Sequence, residues 1–313
     1  MLWGKKTETT TTTNTSEVVG TIPLTPELSR AGAVVRSSLV NPAEYFQKYG
    51  FPGPVHDIAS REQFISCYDR KTRNPAWVIE HITGQSLKVR DGDRGSSIFK
   101  EDTAVPALFR GQLRDYFRSG YDRGHQAPAA DAKFSQNAMD ETFFLTNMCP
   151  QVGDGFNRDY WAHFEHFCRK LTDSYASVRI VTGPLYLPKK DSDGKWRVSY
   201  EVIGNPPNIA VPTHFFKIIV GENPSPALGS PKGVAIGAFV LPNEKIDNNT
   251  PLKSFYVPIE SVERSTGVEF LPLLPASERR DLCREVKCEI TVREFVKALP
   301  APREQLALPP PRK

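Results

Sequence analysis

The chain has 313 residues, 39% of them hydrophobic and 24% charged, and 40 lysines and arginines against 36 aspartates and glutamates leave a net charge of +4. That apolar share is enough for a core and excludes a chain disordered throughout, while the longest apolar run, 215–220, is broken by Lys217 and falls far short of the ~20 residues a membrane helix needs. The charge permits a polyanionic partner, but a pI near 8.7 lies under the ~9 that marks a nucleic-acid-binding domain by composition alone.

The length suits two average domains or one enzyme domain of ~250 residues. Residues 1–41 include a run of threonines (Thr7, then Thr9 to Thr13) that cannot bury apolar surface and reads as a flexible linker. The five residues from Leu2 to Lys6 are too few for the apolar stretch of a signal peptide. Residues 42–299 read as the ordered domain. Residues 300–313, ending Pro309-Pro310-Pro311-Arg312-Lys313, read as a proline-rich basic tail.

Within 42–299 a strand is expected at 77–82 and a helix at 106–118, with Pro106 in its first turn. A second helix, aromatic on one side, is expected at 157–175. Strands follow at 178–182, 197–203, 214–220 and 234–241, separated by Pro, Gly and Asn clusters, and two short helices at 276–285 and 292–299. Strands in a block between helices, without βαβ alternation, predict an α+β fold with a central antiparallel sheet flanked by helices. Five cysteines, Cys67, Cys149, Cys168, Cys283 and Cys288, are no disulfide framework. Cys283 and Cys288 are spaced either to bridge a short loop or to remain two thiols.

The chemistry concentrates in three places. In Tyr121-Asp122-Arg123-Gly124-His125, extended backbone points Arg123 and His125 to one side, joining a fixed cation to a titratable base. The plain alternative is a buried histidine beside a salt-bridged Asp122/Arg123 turn. On the helix beginning at Asn157, the residues Asn157, Trp161, Glu165 and Arg169 follow at steps of four and share one face. An amide oxygen, a carboxylate and a cation on one stripe suit a hard cation such as Mg²⁺, which keeps most of its waters; the alternative is an N-cap followed by an exposed ion pair. Arg110, Arg114 and Arg118 also repeat at four and read either as a solvated face or as a stripe that follows nucleic-acid phosphates. His163, His166 and Cys168 invite a zinc reading, but the His163/His166 pair has no third ligand at recognisable spacing.

Taken together, these residues resemble a known family. Tyr121 to His125, then Met139-Asp140-Glu141-Thr142-Phe143-Phe144-Leu145-Thr146-Asn147-Met148, Pro150-Gln151, Asn157 and Glu165 look like the DNA/RNA non-specific endonucleases of the ββα-metal (His-Me finger) superfamily. Within it they are closest to the endonuclease G and fungal mitochondrial nuclease branch. The likeness runs from Tyr45-Phe46-Gln47-Lys48-Tyr49-Gly50 through Arg179 to Pro184 and on to Glu263-Arg264-Ser265-Thr266-Gly267, most of the domain. The loop from Val152 to Phe156 is one residue longer than in the animal members.

The resemblance implies that His125 is the general base, Asn157 the direct metal ligand, Glu165 the anchor of water around the metal, and Arg123 and Arg169 the binders of the phosphate. Asp122 and Asn147 would be supporting residues. Arg94 or Arg110 would stand for an arginine that bacterial members place upstream. It further implies Mg²⁺, with Mn²⁺ as a substitute, hydrolysis of double- and single-stranded DNA and of RNA to 5′-phosphate and 3′-hydroxyl ends, a homodimer, and a mitochondrial location at the inner membrane or intermembrane space. The associated roles are mitochondrial nucleic-acid turnover and DNA degradation in cell death. Such proteins carry a presequence or anchor that is absent before the threonine run, so a truncated N-terminus is expected. A module of the same fold that binds nucleic acid without cutting it is the competing reading.

Overall fold

Near-continuous runs of β-branched and aromatic residues make strands that bury both faces, and this chain has several. The computed structural model describes residues 48–50, 57–229 and 231–293. The threonine run, the basic tail, most of the Tyr45 motif and the expected helix at 292–299 beyond Arg293 lie outside them.

Eight strands form the main sheet. They are β1 (Asp57–Ser60), β2 (Phe64–Asp69), β3 (Asn74–Ile82), β6 (Tyr175–Leu185), β11 (His214–Pro224), β12 (Val234–Pro242), β13 (Tyr256–Val257) and β14 (Arg279–Asp281), ordered β1-β2-β3-β6-β11-β12-β13 with β14 also on β12. Every pairing is antiparallel except β12 with β14. A separate two-stranded ribbon pairs β4 (Tyr121–His125) with β5 (Met148–Val152). Two minor ladders join β7 (Lys189–Lys190) to β8 (Trp196–Arg197) and β9 (Val202–Ile203) to β10 (Ile209–Ala210).

Strand periodicity sorts the core into two layers. Trp77 and Ile79 of β3 with Phe216, Ile218 and Val220 of β11 face one side, where helix α3 (Ile259–Thr266) covers them through Ile259 and Val262. Ile82 of β3, Ile180 of β6 and Phe215 and Ile219 of β11 face the other, where α2 (Tyr160–Lys170) brings Tyr160, Trp161, Phe164 and Phe167. Burying each such aromatic is worth about 1.5–3 kcal/mol, so four of them clamp α2 to the sheet. The remaining helices, α1 (Gln136–Glu141) and α4 (Leu282–Glu285), are short.

The α+β class holds, but several elements differ from expectation. The helix predicted at 106–118 is two 3₁₀ turns, Ala107–Phe109 and Leu113–Tyr116. Its polar groups are taken by distant partners: the Gly111 amide donates to the Tyr68 hydroxyl, and the Asn208 side chain bridges the Arg110 carbonyl and Asp115. Leu108, Leu113 and Phe117 are left exposed and only Tyr116 reaches a core cluster, too little apolar surface to hold a helix face. The second helix begins at Tyr160 rather than Asn157 and gives way to β6 at Tyr175. The strand predicted at 197–203 survives only at its ends as part of β8 and β9. The span 276–285 splits into a 3₁₀ turn, β14 and α4. Cys283 and Cys288 form a disulfide, while Cys67, Cys149 and Cys168 are buried thiols. Among the described residues, no helix is long and apolar enough to cross a membrane.

Candidate active site

The ribbon β4–β5, the loop after it and α2 form one ββα unit. Register sets Asp122 opposite Gln151, Gly124 opposite Cys149 and His125 opposite Met148. Gly124 is required by packing: a Cβ there would sit 2.0 Å from Gln151 Oε1. The chain turns directly after His125, and Asn147 holds that turn. Its Oδ1 accepts from the Ala127 amide at 2.9 Å, and its Nδ2 donates to the carbonyls of Ala127 and Thr142 at 2.9 and 2.8 Å. Asn147 is wholly buried, and these bonds satisfy its side-chain amide.

Arg123 and His125 do share one side of β4. The Arg123 guanidinium lies 4.1 Å above the Phe99 ring, and the His125 ring is 5.7 Å from Phe99 and 4.9 Å from Phe143, edge-on. His125 Nε2 is buried with no hydrogen-bond partner. Burial, then the charges of Arg94 and Arg123, lower its pKa to about 3, so the ring is neutral at physiological pH. Arg94 stands 5.7 Å over Phe143. Arg110, the other arginine weighed for the upstream place, turns away and donates to the Val105 carbonyl at 2.7 Å. Arg94 therefore adjoins His125 and Arg110 does not.

Asn157 lies in the loop Gly153–Asn157, one turn before α2, where Gly155 at φ +80° bends the chain. Its Nδ2 donates to Asp122 Oδ2 at 2.9 Å. Asp122 in turn receives Arg158 Nε and Nη2, each at 2.8 Å, so the salt-bridged partner of Asp122 is Arg158 and not its neighbour Arg123. Burial opposes the Asp122 charge, but Arg158 and Asn157 outweigh it and hold the carboxyl below its usual range. With the amide nitrogen committed, the Asn157 oxygen is left for a ligand.

Glu165 and Arg169 follow on α2, but not as an exposed pair. Arg169 Nη1 bonds Asp131 Oδ1 at 2.8 Å, and that carboxylate is 1% exposed. Burial opposes the Arg169 charge; Asp131 and Glu165 outweigh it and raise its pKa. Burial raises the Glu165 pKa, with Lys217 and Arg169 acting against the rise. Arg94 acts on both His125 and Glu165, which ties the two halves of the site together. Lys133, whose pKa is lowered by burial and by Arg90, Arg169 and Arg94, extends a cationic rim beside them.

Other expected groupings do not assemble. Because 106–118 is not a helix, Arg110, Arg114 and Arg118 do not form one stripe; Arg118 sits at φ +54° over the Phe117 ring. His163 and His166 face Arg293, and no group of three or more His, Cys, Asp or Glu that can hold a metal exists among the described residues. Sequence reasoning gave no role to Phe99 or Asp131, and named Phe143 only within the motif that carries the resemblance.

The profile of the DNA/RNA non-specific endonuclease family matches residues 42–277. The chain is 64% identical to the mitochondrial nuclease of Saccharomyces cerevisiae over 276 residues, 88% of this chain and 83% of that protein. It is 45% identical to mitochondrial endonuclease G of Homo sapiens over 225 residues, 72% of each. A solved structure, that of an EndoG/EndoGI complex, superposes with a TM-score of 0.71 at 45% identity, over 78% of this chain and all of that one.

Proposed function

The chain belongs to the DNA/RNA non-specific endonuclease family, and from that premise we propose a metal-dependent hydrolysis of DNA and RNA phosphodiester bonds carried out by His125, Asn157, Glu165, Arg123 and Arg169. The catalytic domain is assigned to 42–299.

The observation that carries this reading is the orientation of Asn157. Asp122 takes the amide nitrogen, so the oxygen is the atom left to meet a cation. One neutral protein oxygen fits a hard cation that keeps its waters, as Mg²⁺ does, better than a closed cage of charged ligands. Asn157 would hold the cation and Glu165 would orient the water around it. When bound, Mg²⁺, with Mn²⁺ as substitute, supplies positive charge against the oxygen that leaves phosphorus.

The protein's own groups do the rest. His125 is neutral and walled by Phe99 and Phe143. With its ring proton on the enclosed Nε2, Nδ1 takes the proton from the attacking water. Arg123, fixed over Phe99, and Arg169, fixed by Asp131, hold phosphate oxygens as negative charge builds. The 3′ oxygen leaves as an alkoxide and takes a proton from solvent water to become the 3′ hydroxyl, and the 5′ side keeps the phosphate. Contacts to phosphate carry no base code, so both DNA and RNA are cut with little sequence preference. We further propose that the chain acts in mitochondria, as the names of the relatives suggest, and that it does so as a homodimer, which the family resemblance implies.

The test is digestion of plasmid DNA and a structured RNA with Mg²⁺ or EDTA, using wild type, His125→Ala and Asn157→Ala. Cutting of both substrates only with metal, lost in both variants, supports the assignment. Binding without cutting by wild type would instead favour the non-cutting module.

A further inference from the structure

The disulfide between Cys283 and Cys288 closes a short loop at α4, and the chain beyond it runs onto the helix that carries Glu165. Leu282 at the head of α4 is wholly buried against β12, where a Cβ on Gly237 would come within 2.9 Å of Leu282 Cδ2. Glu285 at its end is held by Arg280 of β14 and by the Tyr175 hydroxyl of β6 at 2.9 Å. Both ends of α4 are therefore fixed to the sheet. Residues 286–293 leave it with no strand or helix of their own. Cys288 is buried in the layer that α2 covers, and Val286 and Ile290 pack against the same layer. Arg293 reaches α2 itself. Its amide donates to His163 Nδ1 at 3.4 Å, and its guanidinium lies 3.5 Å from His166 Nε2. These two histidines flank Glu165 in sequence, on the helix that also carries Arg169.

We propose that the Cys283–Cys288 disulfide is a redox-controlled brace: closed, it holds the strap 286–293 against α2, and its reduction by a dithiol frees the strap and slows cutting at the site α2 carries. The inference rests on the reading of Glu165 and Arg169 as site residues.

Little else holds the strap. Among the described residues, its hydrogen bonds to the rest of the chain are that of the Val286 amide to the Leu282 carbonyl and those of Arg293 to α2. The Lys287–Glu289 ion pair lies within the strap and in solvent. A segment with so few bonds opens readily, and the covalent link from Cys288 to the fixed α4 takes that freedom away. Once the strap opens, α2 loses the Arg293 contacts on both sides of Glu165.

The chemistry is thiol–disulfide exchange. Cys283 is partly exposed and Cys288 is buried, so the thiolate of the reductant meets Cys283 Sγ first. A bond forms to that sulfur as the Cys283–Cys288 bond breaks, and Cys288 leaves as a thiolate that takes a proton. The second thiol of the reductant then attacks its own sulfur in the mixed disulfide and expels Cys283, which is protonated in turn. Two electrons and two protons pass to the protein, and the reductant departs as a cyclic disulfide.

The test reduces wild type with dithiothreitol and reads initial rates on plasmid DNA with Mg²⁺. Alkylation with iodoacetamide followed by mass measurement shows that Cys283 and Cys288 have opened. Amide hydrogen exchange of α2 and of 286–293 is followed in the metal-free protein. Reduction is expected to lower kcat about 10-fold, the scale of a small displacement of catalytic groups, and to speed exchange in both segments. Reoxidation with oxidised glutathione should restore both. Cys283→Ser/Cys288→Ser should remain at the reduced level and be indifferent to dithiothreitol. Unchanged rates and unchanged α2 exchange in protein shown to be reduced overturn the proposal. Faster exchange confined to 286–293 does so too, since the disulfide would then be a local staple. A further loss on adding dithiothreitol to the double variant, equal to that of wild type, would assign the effect to another thiol. If the double variant fails to fold, reduction and reoxidation of wild type decide the matter. Absence of cutting by oxidised wild type would sink the nuclease reading, while exchange along α2 still tests the brace.

Discussion

The amide nitrogen of Asn157 lies 2.9 Å from Asp122 Oδ2, so the residue expected to meet the metal is aimed by the aspartate of the Asp-Arg-Gly-His segment. Asp122 is itself pinned by two bonds from Arg158. Residues that orient a metal ligand commonly change affinity or activity by about 10- to 100-fold when lost. Asp122→Ala should therefore raise the Mg²⁺ concentration for half-maximal cutting by about that factor, with KM for plasmid DNA nearly constant. Asp122→Asn, which still presents an oxygen, should lose less. An unchanged Mg²⁺ dependence in Asp122→Ala, measured by titrating initial rates, would refute the relationship.

Gly124 separates Arg123 from His125 because the Gln151 side chain occupies the place of its Cβ. Even Gln151 Cγ would be 2.5 Å from an added methyl, so rotation of the amide end alone does not relieve the clash. Gly124→Ala should cost about 1–3 kcal/mol, the usual cost of overpacking, and lower activity by displacing His125. Gly124→Ala combined with Gln151→Ala should recover stability. Urea unfolding of the two variants side by side decides it, and equal loss in both would refute the steric account.

His125 carries a pKa of about 3 against an ordinary value near 6.5, because it is buried and faces Arg94 and Arg123. The folded value is depressed, so the unfolded chain takes up this proton first. This group's contribution to stability is therefore lost as pH falls from about 6.5 toward 3. In the folded, metal-free protein the imidazole proton signals should stay put between pH 8 and pH 4, and Arg94→Gln should raise the midpoint by removing one repelling cation. A His125 titration near 6.5 in wild type would contradict the geometry.

Much of the site was readable because its chemistry is local in sequence. Asp122, Arg123 and His125 share one five-residue strand, and the helix stripe holds Glu165 and Arg169 at a spacing of four. The boundaries were less readable. Asn157 falls in a loop because Gly155 needs a positive φ before the helix can start, and 106–118 fails as a helix because Tyr68 and Asn208, distant in sequence, take its polar groups. Phe99 and Asp131 reach the site by tertiary contact alone. Lys217 interrupts an apolar run, yet period-two phasing already aligns it with the buried Phe215 and Ile219. That phasing, rather than the hydropathy of the run, was the signal for a buried charge.

On the far face of the sheet from α2, Glu222 gathers Lys48, Tyr49, Ser177 and Arg179. His81 Nε2 lies 2.9 Å from Ser177 Oγ in the same knot. Burial opposes the Glu222 charge, but its partners pull the pKa from 4.5 to about 2. Burial, then the Arg179 charge, lowers His81 from 6.5 to about 4. Both folded values are depressed, so both contributions are present at neutral pH and lost on acidification, that of His81 between about 6.5 and 4 and that of Glu222 between about 4.5 and 2. Glu222→Gln takes from the largely buried Arg179 the carboxylate charge it meets at 2.9 Å and should cost about 3 kcal/mol at pH 7. Its stability should also stop depending on pH in the lower of the two windows while keeping the upper one. Chemical denaturation at pH 7, 5.5, 4 and 3 measures both effects. A variant as stable as wild type at pH 7 would show that the knot is no more than solvent-screened charge, and an unaltered slope below pH 4.5 would assign the acid sensitivity to other carboxylates.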